Sequence, residues 1–195
     1  MRVKVNGQDT ELAADLSLDR GGEDMSAMVS KTLAIALAGM LAARASQSDS
    51  TLIGFRLHDQ SNKVHSTDEY LKKVVVVMGS DRAGSKFNEE WGKALGSALR
   101  KHPHFYNLVF LGVADIRGVP RIFKFMIKHN FPKDRTVLMD WEGVFAQAYR
   151  FKPKATNILV FSPGGKLVRV DNCRGLDRTT LAGIESQVNA ILDGP

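Results

Sequence analysis

Residues 73–87 read KVVVVMGSDRAGSKF. An unbroken, mostly β-branched run from Val74 to Met78 is followed by a Gly79-Ser80 turn and then by the start of an amphipathic stretch. A short continuous apolar run bounded by turn residues is the signature of a strand buried on both faces. After it, Phe87, Trp91, Leu95, Ala98 and Leu99 recur on one face of a helix over residues 85–101, with Glu89, Glu90, Lys93 and Arg100 elsewhere on it and His102-Pro103 as a stop. A buried strand that hands a short loop to a helix N-terminus is where an α/β fold builds a site. The loop from Ser80 to Ser85 is therefore the first place to look for chemistry.

Downstream the alternation continues. Residues 107–113 (NLVFLGV) read as a second buried strand, and Pro120 suits the first turn of a basic helix over residues 119–129, with Asn130 as a stop. Residues 136–139 predict a third strand, 142–149 a short helix and 156–161 a fourth strand. Ser162-Pro163-Gly164-Gly165 turns that strand into an antiparallel partner at 166–170. Asp177 caps a final helix through Leu192, with Leu181, Ile184, Val188 and Ile191 at helical spacing. Upstream, residues 52–57 and 63–65 flank the turn HDQSN at 58–62 as a short hairpin. Strand and helix units closed by a hairpin and a helix imply a three-layer α/β/α architecture around a central mixed sheet, with an N-terminal β-hairpin extension.

The composition narrows what this architecture can do. With 195 residues, 44% of them apolar, the chain supports one globular domain with a real core. A balance of 27 basic to 21 acidic residues, net +6, is compatible with an anionic partner without requiring one. The single cysteine, Cys173, excludes an internal disulfide, a Cys-x-x-Cys pair and a zinc site of several thiolates.

The first 24 residues are polar and end in Gly-Gly-Glu-Asp, and residues 1–24 read as an upstream or disordered leader. Residues 25–45 carry Lys31, an apolar run from Leu33 to Ala43, and Ala43-Arg44-Ala45 at the end. That order is the grammar of a cleavable signal peptide, which predicts a start at Met25 or Met28, cleavage after Ala45, a mature domain over 46–195 and a periplasmic or secreted location. An apolar run this short does not predict a permanent membrane span, for which about 17 residues are needed. An Ala/Leu-rich amphipathic helix of the fold and an uncleaved anchor are the alternatives. Cleavage removes five basic and six acidic residues, for a mature net charge of +7.

Two longer stretches carry a family likeness. FRLHDQSNKVHSTDEYL at 55–71, leading into KKVVVVMGSDRAGSKFNEEWGKAL at 72–95, resembles the opening of redoxin and peroxiredoxin-type domains of the thioredoxin-like superfamily. VLMDWEGVFAQAYRFKPKATNILVFSPGGKLVRV at 137–170 resembles the second half of that family, and the likeness covers residues 52–192. In the family, the loop after the first central strand holds one or two cysteines at the helix N-terminus, whose positive end stabilises the thiolate. Here Arg82 and Ser85 stand at those positions, and Lys154-Ala155-Thr156 replaces the sequence that carries the cis-proline. The chain also resembles the YtfJ-type group of cysteine-less periplasmic proteins.

The resemblance therefore implies a thioredoxin-like protein without thiol-redox catalysis, acting as a binding or accessory module at Ser80, Asp81, Arg82, Gly84, Ser85 and Ala155. A helix N-terminus can hold an anion, and Arg82 could assist, with Asp81 beside it partly cancelling its charge. Serine would need an adjacent histidine as base. His58, His65, His102, His104 and His129 are not expected at this loop, so Ser80 and Ser85 are expected to serve the turn and cap the helix.

Two other functions are open from the residues. A peroxidase or thiol oxidoreductase could use Cys173, expected after the terminal hairpin and far from the loop, with Arg174 lowering its pKa. A DNA-binding or regulatory protein could use the basic helix 119–129, and a surface for an acidic partner could use Arg117 just before it with Arg121, Lys124 and Lys128 on it; its Phe and Met residues are expected inward. Nucleic acid is not expected as the partner of a secreted protein. Asp115, Asp140 and Glu142 fall at strand ends as caps and turn residues, and no cofactor or metal site is expected.

Overall fold

The structure is a computed structural model, and it describes residues 50–123, 126, 131 and 134–194. The proposed leader and signal peptide lie outside the described residues. A two-stranded antiparallel hairpin comes first, β1 (Arg56–His58) and β2 (Val64–Ser66). Asn62 in its turn takes a left-handed φ of 71°, a conformation that asparagine tolerates better than most residues.

The main sheet contains β3 (Val74–Ser80), β4 (Leu108–Asp115), β5 (Val137–Asp140), β6 (Thr156–Phe161) and β7 (Leu167–Cys173), in the order β5-β4-β3-β6-β7. The β3/β4 and β4/β5 pairs are parallel, whereas β6 runs antiparallel to both β3 and β7. Helix α1 (Ser85–Leu99) joins β3 to β4, α2 (Val144–Ala148) joins β5 to β6, and α3 (Arg178–Asp193) follows β7. The mixed sheet, the closing hairpin and the extension match the architecture read from the sequence. Asp177 caps α3 by accepting the Thr180 amide at 2.6 Å.

Strand alternation explains the two main cores. Val74, Val76 and Met78 of β3 point to one face with Ile158 and Val160, and meet Trp91, Leu95 and Leu99 of α1 and Ile184, Val188 and Leu192 of α3. Val75 and Val77 point to the other face with Leu111, Leu159 and Phe161, under Phe55 and Tyr70 of the hairpin region and Phe145 of α2. All of β3 is buried, as its unbroken apolar run requires.

The described part of the basic stretch departs from expectation in its apolar residues. Arg121–Phe123 forms one 3-10 turn and Met126 is helical, while Lys124, Lys128 and His129 lie outside the described residues. Ile122, Phe123 and Met126 do not point inward as a buried apolar face would: they are 82%, 43% and 62% exposed.

Candidate functional site

β3 carries Ser80 to the end of the sheet, and the chain then turns through Asp81 into α1. Ser80 is not a turn residue. It is the last residue of β3, 3% exposed, and its hydroxyl accepts the Asn88 side-chain amide at 2.8 Å. Nor does Ser85 cap the helix. The capping position is Gly84, and the Ser85 hydroxyl donates back to the Arg82 carbonyl at 2.8 Å. The loop's organising group is Asp81. One carboxylate oxygen accepts the Gly84 amide at 2.7 Å, and the other accepts the Lys154 amide at 3.0 Å, across to the loop that precedes β6. A carboxylate at the positive end of a helix is favourable in itself. Here it also ties the two loops of the site together.

The second tie is Asn157, 1% exposed. Its oxygen accepts the Lys152 amide at 2.6 Å, and its amide donates to the Gly79 carbonyl at 3.0 Å and the Lys152 carbonyl at 3.2 Å. Gly84 and Ala155 fill the space between the loops. A Cβ on Gly84 would lie 2.3 Å from the Ala155 carbonyl oxygen, so backbone would have to move. Ala155, 2% exposed, offers packing and no accessible side chain. Gly84→Ala is expected to cost about 1–3 kcal/mol, the ordinary penalty of overpacking, and to separate the loops. Chemical denaturation, together with amide shifts at Asp81 and Lys154, measures both effects.

Cys173 is not beyond the hairpin or remote from this loop. It is the last residue of β7, paired in register with Thr156, which directly follows Ala155. Its surroundings do not activate it. Burial pushes the thiol pKa up, the carboxylates of Asp171 and Asp177 push it further, and Arg169 only partly opposes them. Arg174, cast in the sequence as the activating charge, is not among these influences. Low-pKa thiols sit in electropositive surroundings, and this one does not.

Arg117, proposed as part of the surface for an acidic partner, makes a two-point ion pair with Asp115 (2.9 and 2.8 Å) and is partly neutralised. Arg82 is exposed and, among the described residues, in no ion pair. Asp140 is fully buried and accepts the Val144 and Phe145 amides at 2.8 and 2.9 Å, capping α2. Burial nevertheless outweighs those bonds and raises its pKa. Among the described residues, no group of three or more His, Cys, Asp or Glu side chains could hold a metal ion.

Among the described histidines, the most enclosed stands in the hairpin. His65, 5% exposed, meets Asp59 through Nε2 at 3.1 Å and the Tyr70 hydroxyl through Nδ1 at 2.6 Å. The inward position of His65 in the hairpin's alternation is the sequence signal that could have revealed this network. The sequence reading also missed Lys86, Arg150, Lys152 and Lys154, four exposed cations on and beside the site loops. The absence of any Asp or Glu from residue 143 to 162 was the available sign.

No family model matches the chain, and no curated protein matches it in sequence. Solved structures do match in three dimensions. A candidate protein disulfide isomerase from Bacteroides thetaiotaomicron aligns with a TM-score of 0.56 at 12% identity, over 76% of this chain and 92% of that one. The exposed lipoprotein thioredoxin Etrx1 of Streptococcus pneumoniae gives 0.51 at 16% identity, over 69% of this chain and 99% of that one. A candidate thiol:disulfide interchange protein DsbE from Chlorobium tepidum gives 0.51 at 15% identity, over 75% and 98%. Among the described residues, no helix is long and apolar enough to cross a membrane. With its five-stranded mixed sheet, flanking helices and hairpin extension, the chain has the thioredoxin-like fold.

Proposed function

We propose that this chain is a thioredoxin-like binding or accessory module that works without thiol-redox chemistry, and that its binding surface is the loop pair around Asp81 and Ala155. The observation that carries this reading is the Asp81 carboxylate, bonded to the Gly84 and Lys154 amides at the turn where a catalytic thiol would stand in the resembled family. It ties two loops into one platform. The signal-like order of residues 25–45 supports delivery to the periplasm or outside the cell.

Two measurements test this on the same protein. Insulin-disulfide reduction and thiol-dependent peroxide reduction are expected to show no turnover in either wild type or Cys173→Ser. Native alkylation of Cys173 is expected to be several-fold slower than that of free cysteine, because burial and two carboxylates raise its pKa. Turnover that disappears in Cys173→Ser would replace this reading with a Cys173 oxidoreductase. Turnover that persists would show a thiol-independent enzyme. For DNA binding by the basic helix, the described residues offer an ion-paired Arg117 and no supporting geometry.

A further inference from the structure

Positive charge gathers on the two site loops. Lys93 pairs with Glu89, Arg117 with Asp115, Arg135 with Asp134 and Arg169 with Asp171, while among the described residues Lys72, Arg100 and Lys101 at the other end of β3 make no ion pair. At the end of β3, Arg82 and Lys86 are exposed on one loop and the first turn of α1, and Arg150, Lys152 and Lys154 are exposed on the facing loop. Among the described residues, none of these five cations is in an ion pair, and Glu90, one turn beyond Lys86, makes none with it. The one carboxylate between the loops, Asp81, is committed to backbone amides. The five cations outnumber Asp81 and the nearby Glu90, which leaves this surface net positive, while Asp171 and Asp177 lie on the Cys173 side of it.

Backbone conformation adds a second observation. Arg150 and Lys154 adopt left-handed φ angles of 51° and 58°. Glycine would be relaxed there, whereas a side chain costs about 1 kcal/mol. Among the described residues, two of the three non-glycine residues in this conformation are thus cations of the same loop. Stability alone would favour glycine at both places.

We infer that the paired loops bearing Arg82, Lys86, Arg150, Lys152 and Lys154 form a docking surface for an acidic polypeptide segment. This rests on the reading of the site as a binding module and names the class of its partner. Single-stranded nucleic acid is the weaker fit because base stacking needs exposed aromatic faces. The rings nearest these loops are spent: Phe151 packs against Gly79, and Phe87 packs against the α1 core. A lipid surface is weaker too, since interfacial binding combines cations with inserting apolar side chains. The exposed Ile122, Phe123 and Met126 belong instead to the segment after β4.

The test uses the full chain and a labelled oligoglutamate peptide of about ten residues, with binding followed by anisotropy. Raising salt from about 50 to about 300 mM is expected to weaken binding by about tenfold or more. Reversing Arg82, Lys152 and Lys154 to Glu is expected to weaken it by about tenfold. Reversing Lys72, Arg100 and Lys101, which lie at the opposite end of β3 and α1, makes the same change in net charge and should have little effect. Lys154→Gly should weaken binding about two- to threefold, yet raise Tm by about 2 °C, which separates recognition from folding. Equal losses in the two triple variants would overturn the proposal, as would tighter binding of oligothymidylate or of vesicles rich in anionic lipid. Absence of oligoglutamate binding would overturn it while leaving a module for another ligand; redox turnover would overturn the module reading while leaving a measured acidic docking site.

Discussion

Trp91→Ala is expected to lower the unfolding free energy by about 3–5 kcal/mol, the usual cost of emptying a large aromatic site in a core. Trp91 is fully buried between the sheet and the α1/α3 layer. Its indole N–H also donates to the Gly175 carbonyl at 3.1 Å, in the connection between β7 and α3. The substitution therefore leaves a cavity and removes the bond that holds this connection to α1. Trp91→Phe retains most of the packing and should cost only about 1–2 kcal/mol. Urea unfolding followed by circular dichroism gives both values, and an unchanged m-value would show that the loss is in stability rather than in cooperativity. A loss below about 1 kcal/mol for the alanine variant would contradict the packing described here.

Asp59→Ala is expected to cost about 3 kcal/mol, because several polar groups lose one partner together. Asp59 accepts the Ser61 and Lys63 amides at 2.8 and 2.9 Å and meets His65 Nε2 at 3.1 Å. The same residue also bridges the hairpin to β5 at Leu138. Burial works against its charge, but the bonds from His65 and the two amides prevail and hold its pKa below 3.8. Its contribution is therefore complete above the unfolded-state value and is lost as pH falls through the lower folded value. Asp140 has the opposite sign: its raised pKa favours the protonated form, so its contribution is greatest below 3.8 and disappears as pH rises through the folded value. Stability measured between about pH 7 and 3 should thus fall less steeply in Asp59→Asn than in wild type and more steeply in Asp140→Asn. Slopes in the reverse order would contradict these assignments. Tyr70, whose hydroxyl pKa is pushed up to about 12 by burial and then by Glu69 and Asp59, remains a neutral partner of His65 throughout that range.

Much of the site's framework was legible from local patterns. The apolar run at 74–78, the helical spacing of Trp91, Leu95 and Leu99, and the Pro-Gly-Gly turn before Leu167 each constrain the chain within a few residues of themselves. They led to the correct strands, helices and hairpin. The stretch 119–129 was harder to read, because its basic and apolar residues satisfy a helical pattern whether or not a neighbouring layer covers them. The exposure of Ile122 and Met126 is decided by that layer. Ser80 and Ser85 look alike as turn residues in sequence, but strand length and the side chain of Asn88 give them different roles.

The sequence by itself determined the order of elements and the absence of cysteine from the loop after β3, since periodicity and residue identity are local properties. Only the tertiary structure decided that Asp81 joins its own helix start to Lys154, 73 residues away. It alone set Cys173 beside Thr156 and gathered Arg82, Lys86, Arg150, Lys152 and Lys154 around one pair of loops. The reason is that β6 pairs antiparallel with β3, which brings the start of one strand to the end of the other. The chemistry of the site depends on that pairing, and no short-range pattern encodes it.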